Sequence, residues 1–334
     1  MKHILVTGGA GFIGSHLVET LLSRGDRVSA IDDKSTGSRE NLAVALRHPN
    51  FRYTLGSVAD AELVRRLLVD VDEVYHLAAA VGVQLIANSP IRTVETNIYP
   101  TGLLLAELER IHAGGRPVKF FMASTSEVYG KNPKPVWTEE DDLVFGPTTR
   151  PRWSYGTSKA IDEFLCLAHW RQQGLPVVVG RLFNVVGPRQ TGAYGMVLPR
   201  FVDAALVGGP LVVHDDGRQQ RCFAHVADVI GAILALMRSA AAVGQVFNIG
   251  SDQPVAILEL AQRVAAAVDP GLPLRFQSYA EAYSADFEDC RRRVPDLTRL
   301  RSLIDFRPRY DLDQIIQEVV SWKQARLAGR VARP

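Results

Sequence analysis

Short apolar runs alternate with amphipathic stretches over the first half of the chain. Residues 4–7, 27–31, 74–77, 120–123 and 177–181 have the composition of buried strands, and residues 15–24 and 155–172 carry apolar side chains at helical spacing. Strands that alternate with crossover helices in this way form parallel sheets. The pattern therefore predicts an α/β fold with a doubly wound parallel sheet, whose ligands bind beyond the carboxyl ends of the strands.

The sequence changes in character after residue 184, where turn-rich pieces surround a helical stretch near residues 224–238. Residues 258–268 and 312–328 also show helical spacing. A chain of 334 residues exceeds the roughly 250 to 300 residues at which single cores stop growing. We expect a first domain over residues 1–183, to which a strand and a helix near 224–250 return, and a smaller mixed α/β lobe over residues 184–330.

Composition excludes several classes of protein. The 38 basic and 36 acidic residues leave a net charge of +2, too balanced for a protein that coats nucleic acid. Three cysteines without paired spacing, and histidines without metal-ligand spacing, predict neither a disulfide framework nor a metal site. No apolar run reaches the roughly 18 residues of a membrane span, and the N-terminus enters a glycine-rich loop at once. We therefore expect a cytoplasmic protein with no membrane partner.

A glycine triplet follows the first predicted strand and opens the first predicted helix. Gly8, Gly11 and Gly14 permit a tight turn there, and the free N–H groups of the helix start can bind a pyrophosphate. The second predicted strand ends in Asp32, about 18 residues after Gly14, where dinucleotide sites place a carboxylate on the ribose hydroxyls. An acid at this place repels a 2′-phosphate. The pattern is that of a Rossmann domain that binds NAD in preference to NADP.

Tyr155 and Lys159 are four residues apart and therefore lie on one face of the predicted helix. A free tyrosine titrates near 10, and an adjacent ammonium favours its phenolate, so the pair can form a general base. A tyrosine and a lysine at this spacing are usually structural when nothing else accompanies them. Their meaning depends on the surrounding motifs.

Further segments supply that context, namely Leu77-Ala78-Ala79-Ala80, Asn97 and Ser124-Thr125-Ser126-Glu127 at a strand end. Together with the glycine triplet, Asp32 and the Tyr155/Lys159 pair, they resemble the extended short-chain dehydrogenase/reductase family, specifically its nucleotide-sugar epimerases, dehydratases and decarboxylases. The resemblance covers essentially the whole chain. It implies NAD as the cofactor and a nucleotide sugar, by preference a UDP-sugar, as the substrate.

The resemblance also implies roles for individual residues. Tyr155 is the base, Lys159 lowers the pKa of Tyr155 and binds the nicotinamide ribose, and Thr125 hydrogen-bonds the reacting hydroxyl. Cofactor contacts are implied for Gly8, Gly11, Phe12, Ile13, Gly14, Asp32, Ser57, Val58, Leu77, Ala78, Ala79, Asn97, Tyr155 and Lys159. Ser57 and Val58 depart from the family pattern, in which an acidic residue commonly follows the third strand. Substrate contacts are implied for Asn184, Arg189, Arg221 and, within a run of three arginines, Arg292.

Three residues after the fourth predicted strand bear on the reaction. The family oxidises sugar C4 to a ketone and then diverges. Its dehydratases resemble Thr-Asp-Glu where this chain has Thr125-Ser126-Glu127, so Ser126 disfavours dehydration. Glu127 is more typical of UDP-glucuronate decarboxylases, where it takes part in proton handling, whereas residues 189–192 are more similar to an epimerase branch. The first interpretation is a UDP-glucuronate decarboxylase. The alternatives are a UDP-sugar 4-epimerase acting on a hexose or uronate, a 4-keto reductase or dehydratase, and a non-catalytic NAD-binding sensor.

Two predicted helices carry more apolar surface than one sheet contact requires. Phe164, Leu165, Leu167 and Ala168 follow Lys159 on its helix, and residues 100–111 are rich in leucine. The family expectation is a homodimer through these two helices. Burial against the chain's own sheet is the alternative.

Overall fold

The computed structural model of the protein describes residues 1–80, 90–193, 195–282 and 288–331. The strands in these ranges are β1 (His3–Thr7), β2 (Arg27–Asp32), β3 (Phe51–Leu55), β4 (Glu73–His76), β5 (Lys119–Thr125), β6 (Val177–Leu182), β7 (Val185–Val186), β8 (Leu211–His214), β9 (Gln220–Cys222), β10 (Ala224–His225), β11 (Val246–Ile249), β12 (Pro254–Ala256), β13 (Leu274–Gln277) and β14 (Arg292–Arg293). The helices are α1 (Phe12–Ser23), α2 (Ala61–Leu67), α3 (Pro90–Ala113), α4 (Ser154–Gln173), α5 (Val197–Leu206), α6 (Val226–Arg238), α7 (Ile257–Val268), α8 (Tyr279–Ala282), α9 (Thr298–Leu303) and α10 (Leu312–Val331).

Seven strands form one sheet in the order β11-β6-β5-β4-β1-β2-β3, and all of their pairings are parallel. The strand order reverses between β1 and β4, which is the point where ligands bind in a doubly wound sheet. The predicted fold class, an α/β fold with a doubly wound parallel Rossmann sheet, is confirmed. β11 comes from late in the chain and extends the sheet beyond β6.

Helices cover both faces of this sheet, so its inner strands are buried on both sides. On one face α1 and α6 pack through residues such as Leu17 and Ile233, and on the other α3 and α4 pack through residues such as Leu108 and Cys166. Burial on both faces explains why these strands are continuous apolar runs without alternation. The sheet is therefore a rigid platform for residues at its carboxyl edge.

The remaining strands form small sheets in the orders β12-β9-β14, β13-β8 and β10-β7. α5, α7 and α10 pack with them around an apolar cluster that includes Leu198, Leu260 and Ile316. This is the smaller mixed α/β lobe expected from the sequence. The domain boundaries at residues 183 and 184 stay a prediction.

Several of the described strands, among them β3 and β14, were not among the predicted elements. β3 is the edge strand of the main sheet and buries only Phe51 fully, so it lacks the apolar run by which the inner strands were recognised. β14 consists of two arginines and forms because it pairs with β9. Within the described residues, no helix has both the length and the apolar character that a membrane crossing requires.

Candidate active site

A cavity of about 1050 Å³ runs along the carboxyl edge of the main sheet. Small-molecule sites are usually clefts of roughly 300 to 1,000 Å³, so this cavity lies at the large end of that range. Most of the site residues predicted from the sequence line it: Gly8, Gly11, Phe12, Ile13, Gly14, Asp32, Ser57, Val58, Leu77, Ala78, Ala79, Thr125, Ser126, Glu127, Tyr155, Asn184, Arg189 and Arg221. The predicted residues Asn97, Lys159 and Arg292 are not part of its lining.

One part of the cavity, here called the glycine end, is lined by Gly8, Gly11, Gly14 and Asp32. Gly8 has a φ of 68°, and a Cβ atom added to it would lie 2.9 Å from the backbone nitrogen of Ala78. A Cβ atom added to Gly14 would lie 2.1 Å from the carbonyl oxygen of Gly8. The loop therefore requires glycine at both positions, because β1, α1 and the end of β4 approach one another too closely for a side chain.

The start of α1 fits a pyrophosphate. Gly11 is the N-cap residue, and it supplies no side-chain cap for the first N–H groups of the helix. Gly11, Phe12 and Ile13 line the cavity, and free N–H groups at a helix start bind negative charge. The glycine end thus has the form of a phosphate cradle.

Asp32 closes the glycine end from β2. Its carboxylate accepts hydrogen bonds from the backbone N–H groups of Ala10 at 3.0 Å and Lys34 at 2.7 Å. Burial raises the pKa of Asp32, and these backbone hydrogen bonds act in the opposite direction. An ionised carboxylate has about four acceptor sites, so two remain for ribose hydroxyls. The residues of the glycine end therefore fit the adenosine and pyrophosphate of a dinucleotide.

Tyr155 lies in the first turn of α4, and Thr125 ends β5. Thr125 hydrogen-bonds the Tyr155 hydroxyl, which favours the phenolate. Burial, and after it the carboxylate of Glu127, nevertheless raise the pKa of Tyr155. The structure thus brings together the predicted base and the predicted hydroxyl partner, but in this arrangement of charges the pKa of Tyr155 is raised and not lowered.

Lys159 lies one turn further along α4, and its ammonium group is buried. Its Nζ atom donates to Oδ2 of Asp162 at 2.8 Å, and both side chains are almost completely excluded from solvent. The predicted contact of Lys159 with the nicotinamide ribose stays a prediction, and in this structure the ammonium group is paired with Asp162. Sequence analysis did not single out Asp162, although its place three residues after Lys159 puts it on the same helix face.

A second part of the cavity, here called the arginine end, is lined by Arg152, Arg221, Arg293, Glu127 and Asp289. Glu127 forms ion pairs with Arg152 and Arg293. Asp289 accepts from Arg221 at 2.8 Å, from the Tyr279 hydroxyl at 2.9 Å and from Arg293 at 3.2 Å. The arginine end is therefore a continuous network of charged side chains.

The arginines outweigh burial in their effect on both carboxylates. Burial alone would favour the neutral acid, but Arg152 and Arg293 lower the pKa of Glu127 to about 2, and Arg221 and Arg293 lower that of Asp289 to about 2. Glu127 is therefore a carboxylate at neutral pH. In this arrangement it can accept a proton but holds none to donate.

Arg293, and not Arg292, is the arginine of the run that points into the cavity, which corrects the prediction. Successive side chains of a strand point to opposite sides, and in β14 Arg293 is in register with Arg221 of β9. Arg292 lies on the other side, where its Nε atom donates to the carbonyl oxygen of Pro135 at 2.8 Å. Residue spacing alone could not decide between neighbours, because the register of β14 depends on β9.

Asn97 is a buried connector and is not part of the cavity lining. Its Oδ1 atom accepts from the backbone N–H of Ala80 at 2.8 Å, and its Nδ2 atom donates to Ser158 at 3.0 Å. Asn97 thus ties the segment after β4 to α4. Its predicted cofactor contact stays a prediction.

The two other predicted substrate contacts lie where the small lobe meets the sheet. Asn184 has a φ of 33° and donates from Nδ2 to the carbonyl oxygen of Cys222 at 3.0 Å. Arg189 has a φ of 71° and is paired with Glu19 of α1 at 2.8 Å. Both residues are in a backbone conformation that is uncommon outside glycine, which often marks functional segments.

A buried ion pair supports the end of β5 from behind. Glu163 of α4 is paired with Arg181 of β6 at 2.8 Å, and Ser124 donates a hydrogen bond to Glu163. The guanidinium of Arg181 also lies 4.7 Å from the ring centre of Tyr129. These contacts fix the backbone on which Thr125 stands. Among the described residues, His, Cys, Asp and Glu side chains form no group of three or more that could hold a metal ion.

Comparison with known proteins places the chain in a family. A family model described as the NAD dependent epimerase/dehydratase family matches residues 4–250. A UDP-N-acetyl-alpha-D-glucosaminuronate decarboxylase of Bacillus cytotoxicus is 38% identical over 326 residues, which cover 96% of this chain and 97% of the relative. UDP-glucuronic acid decarboxylase 1 of Xenopus tropicalis is 33% identical over 321 residues, which cover 96% of this chain and 72% of that protein.

A solved structure has the same fold over nearly the whole chain. It is UDP-glucuronic acid 4-epimerase from Bacillus cereus in complex with UDP-glucuronic acid and NAD, with a TM-score of 0.84, 29% identity, and coverage of 97% of this chain and 99% of that one. The family resemblance read from the sequence is confirmed. The chain belongs to the NAD-dependent epimerase/dehydratase family, and it is an enzyme whose cofactor is NAD.

Proposed function

We propose that this enzyme removes carbon dioxide from a UDP-linked uronic acid, with UDP-glucuronate or its 2-acetamido counterpart as the substrate. The arginine end of the cavity carries the proposal. Its three arginines face two carboxylates, so one positive charge is left over for an anionic ligand. The planar fork of arginine pairs with two oxygens of a carboxylate or of a phosphate at once, so this end suits a substrate that carries a uronate carboxylate in addition to the phosphates of UDP.

The residues beside Tyr155 suit this chemistry. In its phenolate form Tyr155 accepts the proton of the C4 hydroxyl, and Thr125 orients that hydroxyl group. Once C4 is a ketone, the carboxylate on C5 belongs to a β-keto acid. The bond from C5 to the carboxylate carbon then breaks, carbon dioxide leaves, the electron pair forms an enolate with the C4 ketone, and a proton from water adds at C5. Arg293 and Arg152 hold the carboxylate before it leaves, and the charge of Glu127 keeps both arginines in the cavity.

The glycine end would hold NAD. The start of α1 binds the pyrophosphate, Asp32 binds the adenosine ribose, and Leu77 and Ala78 line the wall beside them. When bound there, NAD supplies the acceptor for the hydride of C4 and later its donor.

The substrate proposal is tested with the purified enzyme, added NAD and three sugars: UDP-glucuronate, its 2-acetamido counterpart and UDP-glucose. Mass spectrometry of the products separates the alternatives, since decarboxylation removes the mass of carbon dioxide and epimerisation leaves the mass unchanged. We expect a UDP-pentose or its 4-keto form from a uronate, and no turnover of UDP-glucose. Clean conversion of UDP-glucuronate to UDP-galacturonate would instead establish the C4 epimerase, which the Bacillus cereus structure favours.

The base role of Tyr155 is tested by Tyr155→Phe, which removes the hydroxyl and keeps the ring. General acid–base catalysis contributes about 10²- to 10⁴-fold, and we expect turnover to fall by that factor. NAD affinity, measured by quenching of tryptophan fluorescence, should stay within about twofold. Tyr99→Phe is the matched control, because Tyr99 is 58% exposed on α3 and lies outside the cavity. Full turnover in Tyr155→Phe would remove this residue from the reaction.

A homodimer and a cytoplasmic location belong to the same proposal. The exposed sides of α3 and α4 carry Tyr99, Ile161 and Phe164, of which Phe164 is 68% exposed. Leu165 and Leu167, by contrast, pack against the chain's own core. A second copy that covers Phe164 would remove this apolar surface from water. Sedimentation at several concentrations tests this, and a monomer at all of them would contradict the dimer.

A further inference from the structure

One face of α4 carries three functional groups in a row. Tyr155, Lys159 and Asp162 stand at positions i, i+4 and i+7, which a helix brings onto one side within about two turns. In chain order, these groups are a hydroxyl, a cation and an anion. The first of these groups lines the cavity, and the other two are buried behind it.

The cation and the anion are bound to each other in a dry environment. Lys159 is 1% exposed and Asp162 is fully buried, with 2.8 Å between Nζ and Oδ2. A buried charge is strongly coupled to its partner, and removal of that partner changes the field at every neighbouring group. Tyr155 is such a neighbour, and the charge of Asp162 contributes to the raised pKa of its hydroxyl.

Few other charges reach this pair from the elements packed against it. α3 contributes the neutral Thr101, and β4 contributes His76, which hydrogen-bonds Thr101 and is neutral because burial lowers its pKa to about 3. On α4 itself, burial raises the pKa of the Cys166 thiol, which is therefore also neutral. The charge of Glu163 is matched by Arg181.

Charges also face Tyr155 from the cavity. Glu127 raises the pKa of the hydroxyl and Arg152 lowers it, and these two side chains are ion-paired with each other. The charge on the buried side of Tyr155 is therefore set by Lys159 and Asp162 together.

We propose that Asp162 is a positioning residue of the active site, which holds the Lys159 ammonium on the inner face of α4 and thereby sets the acid limb of the enzyme's pH dependence. Asp162 touches neither substrate nor cofactor in this proposal and acts through Lys159 and Tyr155. The inference rests on the base role of Tyr155 proposed above. It adds a third member to the predicted pair, which sequence analysis left out.

The test compares Asp162→Asn with the NAD-loaded wild-type enzyme by two readouts. One is the pH dependence of kcat. The other is the near-ultraviolet absorbance of phenolate, taken as the difference between each protein and its Tyr155→Phe counterpart. While Lys159 stays protonated, loss of a negative charge about 10 Å away favours the phenolate, so both midpoints should move to lower pH by about one unit. The absorbance readout needs no turnover, so it reports on Asp162 even if the proposed reaction or the base role fails.

Three further variants make the result decisive. Asp162→Ser leaves room for water beside Lys159 and should show the same shift if Asp162→Asn does not fold, whereas Asp162→Glu keeps the charge and should retain the wild-type midpoints. Asp228→Asn is the matched control, because it neutralises another buried carboxylate, which lies on α6, is paired with the exposed Arg309 at 2.9 Å and is not part of the cavity lining. Asp228→Asn should lower the free energy of unfolding and leave the midpoints of the kcat profile and of the phenolate absorbance unchanged. Unchanged midpoints in a folded, neutral Asp162 variant would overturn the proposal, as would failure of both neutral variants to fold while Asp228→Asn folds.

Discussion

The glycine end and the arginine end of the cavity are built from different kinds of groups. At the glycine end, backbone atoms of a tight loop line the cavity, and the spaces between them are too small for a Cβ atom. At the arginine end, five charged side chains from separate segments pair with one another and leave one positive charge over. One end is therefore sensitive to added volume, and the other is sensitive to a change in charge.

This difference suits the two ligands. A dinucleotide that is recycled in every turnover is the same in all members of the family, so a fixed backbone cradle serves it. A sugar substituent that differs among relatives has to be distinguished by side chains, which can change without disturbing the sheet. Specificity within the family is thus expected to depend on the arginine end.

The largest effect should come from added volume at the glycine end. Gly14→Ala would place a Cβ atom 2.1 Å from the Gly8 carbonyl oxygen, which belongs to the backbone and cannot move aside. We expect a loss of more than about 3 kcal/mol in the free energy of unfolding, because overpacking against side chains alone costs about 1–3 kcal/mol. Urea unfolding and NAD titration would measure it.

A second helical glycine provides the control for this substitution. Gly231 lies in α6, and an added Cβ atom there meets nothing within 4 Å. Gly231→Ala should therefore stabilise the protein by about 0.5–1 kcal/mol, since alanine is the better helix former. If Gly14→Ala were as harmless as Gly231→Ala, the contrast between the two ends would be wrong.

The next effect concerns the stability of the arginine end in acid. The pKa of Glu127 is lowered from 4.5 to about 2, so its stabilising contribution is complete above pH 4.5 and is lost as the pH falls through 2. The shift corresponds to about 3 kcal/mol. Urea unfolding at a series of pH values should show that the free energy of unfolding of the wild type falls by about this amount in acid. This fall should be absent in Glu127→Gln. Asp289 titrates in both proteins and cancels.

An exposed carboxylate is the appropriate control here. Glu140 is paired with Arg299 at the surface, where an ion pair contributes about 0–1 kcal/mol. Glu140→Gln should keep the acid dependence of the wild type. The same acid dependence in Glu127→Gln would mean that the arginines do not hold Glu127 in its charged form.

The smallest effect separates two neighbouring arginines. Arg293→Ala would remove the charge-assisted hydrogen bonds proposed between Arg293 and the substrate carboxylate, worth about 1.5–3 kcal/mol, so kcat/KM for the uronate should fall about 10- to 150-fold. Arg292→Ala should change kcat/KM less than about twofold, because the Arg292 side chain donates to the carbonyl oxygen of Pro135 on the outer side. Equal losses in both variants would contradict the strand register that directs Arg293 inward.

The contrast between the glycine end and the arginine end also explains how much of the site could be predicted from the sequence. The glycine end is local, because Gly8, Gly11, Gly14 and Asp32 belong to consecutive elements whose spacing reflects their geometry. The arginine end is not, since Glu127 and Arg293 are 166 positions apart along the chain. No spacing rule joins such residues, and Asp289 had no sequence signal.

Residues within a predicted motif also have protein partners that the motif does not reveal. Asn97 bonds to Ala80 and Ser158, and Lys159 bonds to Asp162, while their ligand contacts stay predictions. Helical spacing correctly placed Lys159 on the same side as Tyr155. It could not tell that a carboxylate three residues later would take up the charge.

The position of β11 in the sheet has a consequence for the synthesis of the protein on the ribosome. β11 covers the outer edge of β6, yet its residues are translated about sixty positions later. At about 5–20 residues per second, the nascent chain carries an open strand edge for several seconds. Such an edge is a template for pairing with other chains. A ribosome that pauses between residues 182 and 246 therefore prolongs the interval in which the nascent chain is most prone to aggregate.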